Sequence, residues 1–121
     1  MEHKYLSVLK SIGLAARARK ITYGSDMTCD AVREGRVHLV LFSTLAAPNT
    51  AKRIINCCEQ NSVECYKIPI GPDELAHAVG KAKPLMSVGV TDKNLCVPVR
   101  RHLLSLPEIK TSSQTVSESE V

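Results

Sequence analysis

Tryptophan is missing from this 121-residue sequence, phenylalanine occurs once and tyrosine three times. So few aromatics argue against a platform on which successive bases of a single strand would stack, and they make the expected core aliphatic. No Cys-x-x-Cys pair occurs. The five cysteines (Cys29, Cys57, Cys58, Cys65 and Cys96) are odd in number, and no signal-peptide pattern is recognisable. Reduced thiols in a cytoplasmic protein are therefore expected. No apolar run approaches the roughly 18 residues of a membrane span, so no membrane partner is expected. Gly-x-Gly-x-x-Gly, a Walker loop, Gly-x-Ser-x-Gly and His-Glu-x-x-His are all absent, and the four histidines stand singly. Without a nucleophile, base and orienting group to name, neither an enzyme nor a cofactor or metal site is expected.

What is present is 44% hydrophobic residues and a net charge of +4, unevenly spread. Residues 1–106 carry +6, and residues 107–121 carry −2. The first span is long enough for one domain with its own core. The second, rich in Ser, Thr and Glu, has almost nothing to bury and is expected to be a disordered acidic tail.

Hydrophobic periodicity divides the body into alternating elements. Leu6, Leu9, Ile12 or Gly13, and Ala16 predict a helix from His3 to about Arg17, with Lys10 and Arg17 on its flank. Lys20–Tyr23 is a short strand. Gly24 or Ser25 opens a second helix with Met27, Ala31 and Val32 facing inward, stopped by Gly35. Val37–Ser43 is a strand covered on both faces. Asn49 or Thr50 caps a third helix whose stripe is Ala51, Ile54, Ile55 and Cys58. Val63–Ile68 is the third strand. Gly71-Pro72-Asp73-Glu74 starts a short helix over Leu75–Val79. Leu85–Val90 is the fourth strand. Asp92 caps a last helix carrying Leu95, Val99, Leu103 and Leu104, which Pro98 kinks or restarts. Four strands alternating with five helices imply a sheet with crossover connections and helices on both faces.

The segment from Gly13 to Gly35 holds the candidate site. Arg17, Arg19 and Lys20 form a basic cluster before a strand, and the next helix begins at Gly24-Ser25-Asp26, where backbone N–H groups attract anions. Cations at a helix end also serve the helix dipole with no ligand at all. Lys81-Ala82-Lys83 makes a second basic loop, which strengthens a nucleic-acid role if the fold brings the two together.

The run Gly13-Leu14-Ala15-x-Arg17-Ala18-x-Lys20-Ile21-x-x-Gly24 is followed by Ala31-Val32-x-x-Gly35, Asn49-Thr50, Glu74-Leu75-x-x-Ala78-x-Gly80-Lys81 and Val88-Gly89-Val90-Thr91-Asp92. Over about residues 5–104 this order resembles the kink-turn-binding ribosomal-protein family that includes archaeal L-seven-Ae and eukaryotic L-thirty-e, in particular its small bacterial YlxQ-type branch. The resemblance implies a three-layer α/β/α sandwich around a four-stranded mixed sheet. It also implies binding of structured RNA, kink-turn or ribosomal, by a protein of the translation apparatus. DNA specificity is not expected, and a ribosomal or translation-factor partner is possible in that setting. It assigns the RNA surface to the start of the second helix and the loop before the last strand. On that basis Gly24, Ser25, Asp26, Met27, Asp30, Lys81, Ala82 and Lys83 are candidate contacts, with Arg17, Arg19, Lys20 and Arg36 supplying phosphate contacts.

The family's motif resembles Gly-x-Asn-Glu-x-x-Lys, and this chain departs from it. Asp26 can only accept where Asn donates and accepts, Met27 lacks a carboxylate, and Asp30 puts an acid where the family has an ammonium. Glu34 repeats that reversal one turn later. The expectation is an altered or weakened recognition of kink-turns. The alternative is a protein-interaction module in which Asp26, Asp30 and Glu34 face a basic partner.

Overall fold

The computed structural model describes residues 5–106, so the start of the predicted first helix at His3 and the predicted 107–121 tail lie outside the described residues. The elements alternate as the periodicity implies: α1 (Leu6–Arg17), β1 (Ile21–Tyr23), α2 (Ser25–Arg33), β2 (Leu39–Ser43), α3 (Pro48–Gln60), β3 (Glu64–Ile68), α4 (Pro72–Ala78), β4 (Ser87–Val90) and α5 (Lys93–Leu104). The strands form one mixed sheet in the order β1-β4-β2-β3. β2 and β3 are parallel, while β4 runs antiparallel to both β1 and β2. The expected α/β/α sandwich is the architecture observed.

Strand side chains alternate between two cores, as the period of two requires. Leu39, Leu41, Val88 and Val90 point into the layer of α1, α4 and α5, joined by Val8, Ile12, Leu75, Val99 and Leu103. Val40 and Phe42 point the other way, into α2 and α3, against Val32, Ile54 and four of the cysteines. Each fully buried aliphatic or aromatic side chain contributes about 1.5–3 kcal/mol. An ion pair between Arg100 on α5 and Glu64 on β3, at 2.9 Å, ties the last helix to the edge strand. Tyr66 Oη donates to the same carboxylate at 3.1 Å. Burial, and then that carboxylate, push the Tyr66 phenol up.

The structure refines several expectations. The buried stripe of α1 is Val8, Ile12 and Ala15, one residue out of phase with the predicted stripe, and Leu6 stands exposed. Tyr5, just ahead of the helix, is buried in the same core. α3 begins at Pro48, ahead of the predicted Asn49 or Thr50 cap. Proline suits a first helical position because its missing N–H would have no partner there. α5 continues through Pro98 without restarting, and Asp92 caps it as expected by accepting from the N–H groups of Asn94 and Leu95.

Gly89 decides how closely α2 approaches the sheet. A Cβ there would lie 2.8 Å from Thr22 Oγ1, 3.0 Å from Val37 Cγ1 and 3.2 Å from Thr28 Cγ2. Without one, Thr22 on β1 and Thr28 on α2 share a buried hydrogen bond of 2.7 Å. That bond fixes the rotation of α2 and thereby the start of the candidate site.

Candidate nucleic-acid interface

The site begins where β1 runs out. Tyr23 pairs with Val88, and the next N–H, that of Gly24, donates to the Ser87 carbonyl at 2.9 Å. Gly24 then turns the chain into α2 at φ 89° and ψ 164°, a conformation almost reserved to glycine. No side chain caps α2. The first N–H groups of the helix therefore remain available to an anion. Ser25 Oγ lies 3.1 Å from Ser87 Oγ, which fixes the first turn to the sheet.

The loop before β4 packs against this turn. A Cβ on Gly24 would lie 3.9 Å from Leu85 Cδ2, and Lys81 Nζ sits 4.3 Å from the Tyr23 ring centroid. Lys81, Ala82 and Lys83 are all exposed. Lys83 makes no ion pair among the described residues. On the other side, the Ser43 N–H donates to the Met86 carbonyl at 2.8 Å, and the Leu45 N–H to Ser43 Oγ at 3.0 Å. This leaves Leu45, 64% exposed, on the same edge. The fold thus brings Gly24, Ser25, Asp26 and Met27 together with Lys81, Ala82 and Lys83.

Met27 corrects an expectation. Its side chain does not face inward; it is 45% exposed, and the Tyr23 N–H approaches its sulfur at 3.4 Å. Thr28 and Cys29 take the inward positions because the Thr22–Thr28 bond sets the phase of the helix.

Of the other predicted cations, Arg19, Lys20 and Arg36 lie elsewhere, while Arg17 lines a pocket with Gly80, the residue before Lys81. Lys20 is at the opposite end of β1, where its carbonyl accepts from the Thr91 N–H, and Arg19 adjoins it. Arg36 follows the C-terminal end of α2, near the His38 N–H that donates to Val90. Arg17 lines a cavity of about 710 Å³ between α1 and α4.

The acids of α2 and its C-cap are each paired with an arginine. Asp26 accepts from Arg53 at 2.7 Å, Asp30 from Arg33 at 3.1 Å and Glu34 from Arg36 at 2.8 Å. Asp30 sits one turn beyond Asp26 along the same face of α2. The Asp26 hydrogen bond holds the Arg53 guanidinium above its ordinary value. Arg53 comes from α3, and nothing local in the sequence marks it, since 27 residues separate it from Asp26. Leu45 and Ser87 carry no charge, and only tertiary pairing places them on this edge.

The cysteines pack in the two cores. All five are free and buried. Burial, the largest cause, pushes Cys29 and Cys96 up to about 11. Cys65 also rises, through its hydrogen bond with Cys58 and then burial. Such thiols are poor nucleophiles. Among the described residues no cluster of three or more His, Cys, Asp or Glu is placed to hold a metal.

Residues 7–97 match the model of the ribosomal protein L7Ae/L30e/S12e/Gadd45 family. The RNA-binding protein YlxQ of Bacillus subtilis (strain 168) is 36% identical over 86 residues, spanning 68% of this chain and 80% of that protein. The RNA-binding protein YlxQ of Enterococcus faecium is 26% identical over 77 residues, or 64% of this chain and 74% of that one. Among solved structures, a Bacillus halodurans protein of unknown function superposes with a TM-score of 0.72 at 28% identity, covering 78% of this chain and 94% of its own. The Giardia lamblia 15.5kD RNA binding protein superposes at 0.74 with 18% identity, covering 92% and 91%. That likeness is one of fold.

Proposed function

The chain belongs to the ribosomal protein L7Ae/L30e/S12e/Gadd45 family, and from that premise we propose that it is an RNA-binding protein whose contact edge is the Gly24 turn with the Lys81–Lys83 loop. Its RNA is a structured one, in which a bend or internal loop exposes phosphates and base edges, because proteins read RNA through shape and unpaired elements rather than through a deep duplex groove. Ribosomal RNA in the setting of translation is the natural source. Kink-turns bind more weakly than to a relative carrying the Asn-Glu-Lys set, since Asp26, Met27 and Asp30 replace it.

One observation carries this proposal. The uncapped start of α2 stands beside two exposed lysines from a loop some 55 residues later in the chain, joined to it by the Gly24–Ser87 hydrogen bond. Backbone donors position a phosphate and lysines supply the long-range attraction. The alternative of a basic protein partner gains nothing from the geometry, because Asp26, Asp30 and Glu34 are already paired with arginines.

Gel shifts of the full chain with kink-turn RNA, a plain stem-loop and ribosomal RNA, over a salt series, test the proposal. Binding to at least one, with log affinity falling linearly against log salt, is the expected result. No binding to any of them at low salt overturns it.

A further inference from the structure

We infer that Arg53, on α3, is an RNA-contacting residue of this edge, and that Asp26 is its positioning residue. The inference rests on the RNA-binding function proposed above and assigns that function a cation outside the two segments already named.

The pair is built unlike a stability device. Asp26 is 89% exposed and Arg53 44%, and a lone pair at such exposure adds little to folding. What it does is bias a long, flexible side chain toward one orientation, with Arg53 Nη2 2.7 Å from Asp26 Oδ1. A guanidinium is a planar fork of five N–H donors. Arg53 spends one on Asp26 and makes no other hydrogen bond among the described residues. The remainder of the fork stands next to the first turn of α2, whose own side chains there offer a serine, an acid and a methionine but no cation. Arg33, the basic residue of the last turn, is taken by Asp30. The positive charge of this side therefore comes from α3, held by an acid that by sign alone would repel RNA.

A fork held in this way fits an acceptor with two oxygens or an oxygen and a ring nitrogen: a phosphate, or the O6/N7 edge of a guanine. The two sources separate in the salt series. A phosphate contact adds about one unit to the salt slope that Arg53→Ala removes, whereas a guanine contact leaves the slope and is lost when that base is changed.

The test uses anisotropy titrations of the full chain with whichever of the kink-turn, stem-loop or ribosomal RNA probes binds tightest. Arg53→Ala is expected to weaken binding about tenfold, and Arg53→Lys to recover little of that, because an ammonium has no fork. Asp26→Ala removes a negative charge yet is expected to weaken binding several-fold. In the Arg53→Ala background the same substitution is expected to do nothing or to strengthen binding, a non-additivity that a structural role would not give. Tighter binding by Asp26→Ala alone, or unchanged binding by Arg53→Ala, overturns the inference while leaving the RNA-binding function standing. A wild-type chain that binds none of the probes overturns both.

Discussion

The two ends of the β1–β4 ladder both carry exposed cations but set them in different surroundings. At the far end, Arg19 and Lys20 follow the C-terminus of α1, where cations stabilise the exposed carbonyls, and Arg36 is paired with Glu34. At the near end, Lys81 and Lys83 stand free of ion pairs among the described residues, beside an uncapped helix start. A basic cluster in sequence therefore marks a folding role as readily as a binding one. What separates the two is whether the backbone beside the cations has donors to spare.

That contrast breaks most readily at Gly89, the residue that lets α2 approach the sheet. Gly89→Ala drives a methyl into Thr22, Val37 and Thr28 and is expected to cost about 3 kcal/mol of stability, the upper end for overpacking. RNA affinity should fall with it. Gly13→Ala, whose Cβ would lie 2.9 Å from the Ala78 carbonyl, strains the other layer instead. It is expected to lower the melting temperature while leaving the affinity of the folded protein unchanged. Melting curves and titrations of the two variants together sharpen the comparison.

Charge removal is the next largest effect. Lys81→Ala with Lys83→Ala is expected to weaken RNA binding by about tenfold or more and to flatten the salt slope by about two units. Arg19→Ala with Lys20→Ala, at the far end, should change affinity less than about threefold. An equal loss from both pairs would mean that the protein attracts RNA by bulk charge and has no preferred edge.

Glu64→Ala tests a region remote from both ends. It leaves Arg100 and the half-buried Tyr66 hydroxyl without their shared acceptor, at an expected cost of about 1 kcal/mol, with RNA affinity intact. Equilibrium denaturation reads the first outcome and titration the second.

The remaining effect lies wholly outside neutral pH and is alkaline. Cys29 and Cys96 titrate near 11 in the folded chain, against an ordinary value of 9.0. The unfolded chain therefore gives up these protons first, and stability falls as pH rises from about 9 to 11. Denaturation midpoints across that window should drop, and Cys96→Ala should shallow the slope.

Much of this was legible in the sequence. Alternating apolar periods, Gly35 after α2 and Asp92 before α5 establish the element order, because each depends on near neighbours. The rotation of α1 is not legible: Leu6, Leu9 and Ala16 match a helical period as well as Val8, Ile12 and Ala15 do, and only packing against the sheet chooses between them. The inward position expected for Met27 fails for a related reason, since the hydrogen bond between Thr28 and Thr22, a residue on another element, sets the phase of α2. The Gly24 turn and the lysine loop could be named separately, but their meeting depends on the β1–β4 pairing. Arg53 was invisible as part of the site because its relation to Asp26 exists only once α3 packs beside α2.

Amide chemical shifts of the isotope-labelled chain, followed through a titration with its tightest-binding RNA, test the central claim most directly. The largest changes are expected at Gly24, Ser25, Asp26, Lys81, Ala82, Lys83 and Ser87, with little at Lys20 and Arg36. Changes concentrated instead around Lys20, Arg36 and Thr91 would place the RNA at the other end of the ladder and contradict the account.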